Sequence, residues 1–147
     1  MTPTFLRSTL AAAACTVAIA LAGAASAETV NLKAALDGKA EVPANDSKGS
    51  GSVTATFDTA TKKLTWKGSY SGLSGPATAA HFHGPAEPGK NAGVAVPIFA
   101  GATAKSPFEG EATLTDAQAA DLLAGKLYAN IHTEANKAGE IRGQLTK

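Results

Sequence analysis

The sequence predicts an all-β domain, an antiparallel β-sandwich or flattened Greek-key barrel carrying one short helix. Three features point there. Short runs alternate apolar and polar side chains, the period of a half-buried strand. Connections rich in Gly, Pro, Asn, Asp and Ser separate these runs at regular intervals, as in sandwiches and barrels. One stretch, Thr115 to Gly125, departs from that period and carries helix-capping residues instead.

The chain has 147 residues, and its beginning has the makeup of a targeting segment. Arg7 precedes an apolar run from Leu10 to Ala22 that only Thr16 interrupts, and Ala25-Ser26-Ala27 supplies the small-x-small pattern of a signal-peptidase site. Residues 1–27 are therefore expected to be a cleaved signal peptide and residues 28–147 the mature domain, secreted or periplasmic. The apolar run is short for a bilayer and no basic cluster follows it, which argues against a membrane anchor. No later stretch is long enough to span a membrane. Cleavage before Cys15 would instead make a lipoprotein, but the apolar run continues past Cys15 to the better site at Ala27. A chain cleaved there has no disulfide, thiolate ligand or cysteine nucleophile.

The first strand is expected where Val30, Leu32, Ala34 and Leu36 alternate with polar or small residues. Asp37 to Ser50, with Pro43 inside it, is a long connection. Val53, Ala55 and Phe57 mark a second strand, and Leu64, Trp66, Gly68 and Tyr70 a third, with the turn Asp58-Thr59-Ala60-Thr61-Lys62 joining them as a hairpin. Ser71 to Pro76 must turn. A strand over Thr78 to Gly84 follows, then a Pro/Gly loop to Gly93. Val94 to Phe99 contains Pro97, which cannot donate to a ladder, so this strand belongs at an edge or a bulge. Phe108, Gly110, Ala112 and Leu114 alternate with Glu109, Glu111 and Thr113 in the next strand. Thr115 with Gln118 has capping-box spacing, Asp116 favours the positive helix end and Gly125 can end the helix. So short a helix must dock, here through Leu122 and Leu123.

The last two strands are Lys126 to Thr133 and Glu140 to Leu145, and their register follows from side-chain pattern. Pairing Ile131 with Ile141 puts Leu127, Ala129, Ile131, Ile141, Gly143 and Leu145 inward. It sets His132 opposite Glu140, Asn130 opposite Arg142 and Tyr128 opposite Gln144, with Glu140 and Arg142 as an exposed pair on an outer face.

Composition narrows the function. The 13 basic and 12 acidic side chains are interspersed, and removal of Arg7 leaves them balanced. No basic stripe suits nucleic acid and no polybasic run suits anionic lipid. No nucleophile constellation, phosphate loop or dinucleotide fingerprint appears. Glu109 and Glu111 have the spacing of ordinary solvated alternation, and Trp66 and Tyr70 share a face with Leu64 as core residues do.

The chemistry-bearing residues are the 3 histidines. In His81-Phe82-His83 an extended backbone sends both imidazoles to one side, about 7 Å apart, and Phe82 to the other. An H-x-H pair presets two ligand directions, and His132 is the remaining imidazole, so His81, His83 and His132 are the candidate metal ligands. Copper and zinc are the expected ions, and Glu140 is expected to accept the free ring N–H of His132 and fix its tautomer. The bland alternative is that the rings hydrogen-bond loop carbonyls.

The segments Leu32-Lys33-Ala34-Ala35-Leu36-Asp37-Gly38-Lys39-Ala40-Glu41-Val42-Pro43, Ser71-Gly72-Leu73-Ser74-Gly75-Pro76 running on to His81-Phe82-His83-Gly84-Pro85-Ala86, Ala112-Thr113-Leu114-Thr115, Leu127-Tyr128-Ala129-Asn130-Ile131-His132-Thr133 and Gly139-Glu140-Ile141-Arg142-Gly143-Gln144 together resemble a CHRD domain, the module named after chordin. Chordin binds secreted growth factors outside the cell. The resemblance implies an extracytoplasmic module; the growth-factor role belongs to chordin as a whole. The Gly72-Leu73 turn and the H-x-H strand are also similar to copper/zinc superoxide dismutases, where such a strand supplies copper ligands. This chain lacks the histidines for a full copper site with a bridging ligand, and it lacks the disulfide.

The expected function is thus an exported binding module, its partner a metal ion or an unidentified protein, with copper or zinc on the three histidines. A dismutase-like redox enzyme on the same residues is the alternative, and a purely structural or adhesive module the third reading.

Overall fold

The computed structural model of the chain describes residues 27–147. The expected signal peptide lies outside these residues except for Ala27. Eight strands form: β1 (Thr29–Asp37), β2 (Ser50–Asp58), β3 (Lys63–Ser71), β4 (Ala77–His83), β5 (Val94–Ala100), β6 (Phe108–Thr113), β7 (Tyr128–Thr133) and β8 (Ile141–Gln144), with one helix, α1 (Asp116–Leu123), before β7. They make one antiparallel sheet in the order β5-β4-β7-β8-β1-β2-β3-β6. No helix of the described residues is long and apolar enough to cross a membrane.

The sheet curls into a nearly closed barrel. Trp66 on β3 and Phe82 on β4 lie far apart in strand order, yet their rings meet edge to face at 5.3 Å across the interior. The end strands β5 and β6 meet through side chains, with the Phe99 and Phe108 rings at 5.2 Å and Tyr70 at 6.2 Å from each. β1 alternates perfectly, with Val30, Leu32, Ala34 and Leu36 buried and the residues between them exposed. The hairpin from β2 to β3 pairs Asp58 with Lys63, and Asp58 Oδ1 accepts the Ala60 and Thr61 amides at 2.9 and 2.8 Å. Pro97 sits in the edge strand β5, whose pairing with β4 is interrupted by register shifts.

The helix is capped as its sequence predicts. Gln118 N donates to Thr115 Oγ1 at 3.2 Å, and Thr115 N donates to Gln118 Oε1 at 2.9 Å. Thr115→Ala is expected to cost about 1 kcal/mol, read as a lowered urea midpoint with unchanged slope. The docking face differs from expectation. Leu122 and Ala119 are buried while Leu123 stays 39% exposed. Leu123 follows Leu122 by about 100° around the helix, which turns it off the contact.

The β7–β8 register is the expected one, with Tyr128 opposite Gln144, Ala129 opposite Gly143, Asn130 opposite Arg142 and Ile131 opposite Ile141. β8 also joins β1 through Asp37 and Arg142. Gly143 allows that junction, because a Cβ there would lie 2.1 Å from the Ala35 carbonyl oxygen.

The outer face of this hairpin overturns the expected exposed pair. Arg142 is 2% exposed, with Tyr128, Asn130 and His132 buried beside it, while Glu140, 0% exposed, turns its side chain to Thr133 on the other face. Two connections fold back over that face. From residues 85–93, Asn91 Oδ1 accepts from Arg142 Nη1 at 2.8 Å and the Lys90 carbonyl accepts from Nη2. From residues 38–49, Glu41 Oε1 accepts from Asn130 Nδ2. Asn91 Nδ2 donates to the Val42 carbonyl at 2.9 Å, tying the two connections together. Period-two alternation predicts a wet outer face only when nothing covers it.

Candidate metal centre

β4 and β7 build the site by register. His81 pairs with Asn130, His83 with Tyr128 and Ala79 with His132, so all three imidazoles leave one face of two adjacent strands. Phe82, between the two β4 histidines, is fully buried in the barrel and anchors their strand. The ring centroids are 5.4 Å apart for His81 and His83, 5.1 Å for His81 and His132, and 5.7 Å for His83 and His132. One nitrogen from each ring falls within 4.8 Å of the others. The sequence-predicted histidines are thus brought together as one cluster.

Their tautomers follow from their partners. A carbonyl oxygen only accepts, so the nitrogen facing it carries hydrogen. His132 Nδ1 faces the Lys137 carbonyl at 3.0 Å, and His83 Nδ1 faces the Ala92 carbonyl at 3.0 Å. Both Nε2 atoms are therefore left with lone pairs. That of His132 lies 3.2 Å from His81 Nδ1, while that of His83 is buried without a hydrogen-bond partner. Both readings of the histidines meet here: His83 and His132 bond loop carbonyls through Nδ1, and His132 turns its other nitrogen toward His81.

The surroundings of all three rings favour the neutral form. Burial lowers the pKa of His81, as do the neighbouring His132 and His83. Burial lowers that of His83 too, against the Ala92 carbonyl, with His132 and Arg142 adding to the effect. Burial outweighs the Lys137 carbonyl at His132. Neutral imidazole is the ligating form. Around the cluster, His83 stacks on Tyr128 at 5.1 Å and 8°, and the Arg142 guanidinium carbon sits 3.5 Å from the Tyr128 ring centroid. The Tyr128 hydroxyl accepts the Ala92 amide at 3.1 Å, fixing the carbonyl that orients His83.

Glu140 does not take the expected place. The ladder ends at Ile131 and Ile141, and Glu140 N donates to the Ile131 carbonyl at 2.8 Å. Its side chain turns to Thr133, on the strand face opposite His132, so the Lys137 carbonyl fixes the His132 tautomer instead. Two residues of the neighbourhood escaped the sequence reading. Glu41 stood in a connection whose polar composition signals solvent, and Tyr128 stood on a face expected to be wet. Outside this region, a hollow of about 940 Å³ lies on the outer face of β1, β2, β3 and β6, lined by Lys33, Thr54, Thr56 and Lys67 among others, with no histidine.

The family model for the CHRD domain matches residues 32–145. No curated protein and no solved structure matches the chain.

Proposed function

The chain belongs to the CHRD-domain family, and from that premise we propose that it is an exported, non-enzymatic binding module that holds one copper or zinc ion through His81, His83 and His132. The observation that carries this reading is the buried Nε2 of His83, which has no hydrogen-bond partner and belongs to a cluster in which His81 Nδ1 and His132 Nε2 face each other at 3.2 Å. An unpaired buried acceptor is costly, and a metal ion is the partner that three neutral imidazoles are built to share.

The donor set suits the ions named. All-imidazole sites favour zinc, copper and similar borderline metals over calcium or magnesium, which want oxygen. The Ala92 and Lys137 carbonyls orient two rings as outer partners of metal-bound histidines do. A bound ion would supply a positive centre able to accept one more donor, from water or from a partner.

Metal analysis of natively purified protein, followed by titration of the metal-free form with Zn(II) and Cu(II), tests the reading. One equivalent bound is the expected result. No binding would favour the structural or adhesive role, and superoxide removal by the loaded protein would favour a redox enzyme.

A further inference from the structure

Two carboxylates are buried outside the histidine cluster, and their surroundings differ. Glu140 is saturated by four donors. Glu41 is 7% exposed, receives one side-chain hydrogen bond, from Asn130, and forms no ion pair among the described residues. A carboxylate so placed is expensive unless a cation accompanies it.

Its position relates it to the histidines. Asn130 pairs with His81 across the β4–β7 ladder and stands two residues from His132 on the same face of β7. The other amide contact of Asn130 Nδ2 is the Ile141 carbonyl at 3.3 Å, so the Asn130 side chain is oriented between β8 and Glu41. Gly139, at φ 139°, makes room for the pair: a Cβ there would lie 2.5 Å from Asn130 Nδ2 and 2.7 Å from Glu41 Oε1. The connection bearing Glu41 is itself fixed. Ala40 N donates to Asp37 Oδ1 at 2.8 Å, and the Gly38 carbonyl accepts the Glu41 and Asn45 amides at 3.3 and 2.9 Å. The one fixed positive charge nearby, Arg142, spends its hydrogen bonds on Asn91 and the Lys90 carbonyl.

An ion among three neutral imidazoles gains no charge compensation from its ligands, and Arg142 behind Tyr128 opposes it. We propose that Glu41 is the charge-balancing group of the metal centre, a non-ligating carboxylate bonded to Asn130, the residue paired with His81, and that it favours divalent over monovalent ions there. The inference rests on the metal reading above. It agrees with the state of the carboxyl, which burial lifts to about 7 against the lowering effects of Asn130, Arg142 and the Val42 backbone. A nearby cation would favour its ionised form.

Glu41→Gln tests the assignment, because glutamine keeps the shape and the oxygen that accepts from Asn130. Zn(II) affinity, measured by competition with a chromophoric chelator, is expected to fall about 10–100-fold, the usual effect of losing an outer partner of a metal site. Cu(I) affinity, measured anaerobically, should fall less. The metal-free variant should be as stable as the wild type at pH 4 and more stable at pH 8. The sign follows from the raised pKa: the stabilising effect of a protonated Glu41 is complete below 4.5 and lost as pH rises through about 7, a loss glutamine does not suffer. Zn(II) affinity within about twofold of wild type would overturn the charge-balancing role alone. A metal-free variant less stable than wild type at pH 8 would make Glu41 a structural residue and overturn it equally. A wild type that binds neither ion would overturn the site and its counter-charge together.

Discussion

Glu140→Ala is expected to destabilise the protein by about 3–5 kcal/mol, among the larger effects a single substitution produces. The carboxylate is fully buried and joins three separate stretches of chain. Ser47 Oγ and the Ser74 amide each donate to Oε1 at 2.7 Å, while Ser74 Oγ at 2.7 Å and Thr133 Oγ1 at 2.6 Å donate to Oε2. Alanine would remove the acceptor of all four donors, of which Thr133 is fully buried, Ser47 half-buried and Ser74 at the surface, and each group left unsatisfied costs about 1–3 kcal/mol before neighbours relax. Glu140→Gln is milder, about 1–3 kcal/mol: hydroxyls can rotate to meet a new donor, but the Ser74 amide facing an NH₂ cannot. Urea unfolding at pH 7 measures both. A loss below about 1 kcal/mol for the alanine variant would show that this carboxylate does not hold the connections in place.

The same carboxylate gives the fold an acid limit. Burial alone would raise its pKa, but the hydrogen bonds from Thr133, Ser47 and Ser74 together outweigh burial and hold it at about 2. A lowered carboxyl pKa contributes stability that is complete above the ordinary value of 4.5 and lost as pH falls toward 2. The stability gap between wild type and Glu140→Gln should therefore be widest at pH 6 and narrow progressively to pH 2.5.

The barrel and its polar covering were unequally legible in the sequence. β1, β2, β3 and the β7–β8 register could be read because one face of each is apolar and a one-residue slip would bury polar groups. The histidine pair was legible for the same reason, since strand geometry alone puts His81 and His83 on one side. His132 joined them because the β4–β7 pairing sets it opposite Ala79, a neighbour relation that needs tertiary topology. What could not be read was the covering of the hairpin's outer face. Glu41 and Asn91 lie in connections whose composition matches any solvated loop, and their places over that face are decided by single side-chain hydrogen bonds to Asn130 and Arg142. Glu140 illustrates the limit best. Counting back from Ile141 places it opposite His132, but the ladder stops one residue earlier and the side chain goes to the other face.

His83→Ala should weaken Zn(II) and Cu(II) binding by at least about a hundredfold, beyond the range seen for outer partners of a metal site. His83 is the most telling of the three to remove. Its Nδ1 is committed to Ala92, its Nε2 is buried without a hydrogen-bond partner, and its ring stacks on Tyr128. If the ring were only a structural element, its loss would lower stability and leave metal affinity to the remaining pair. If it is a ligand, metal binding collapses while the metal-free fold, held from the other face of β4 by Phe82, persists. A thermal shift separates these cases: ligand at about 100 times Kd stabilises a protein by about 2.7 kcal/mol, and that increment should vanish in the variant. Glu109→Ala, on the exposed edge strand, should keep it. Acid should act in the same direction. Protons compete for imidazole nitrogen, and because burial lowers the pKa of all three rings from the ordinary 6.5, the wild-type increment should survive to lower pH than a site of exposed histidines and then disappear. Equal calorimetric isotherms for wild type and His83→Ala would remove the metal from these residues.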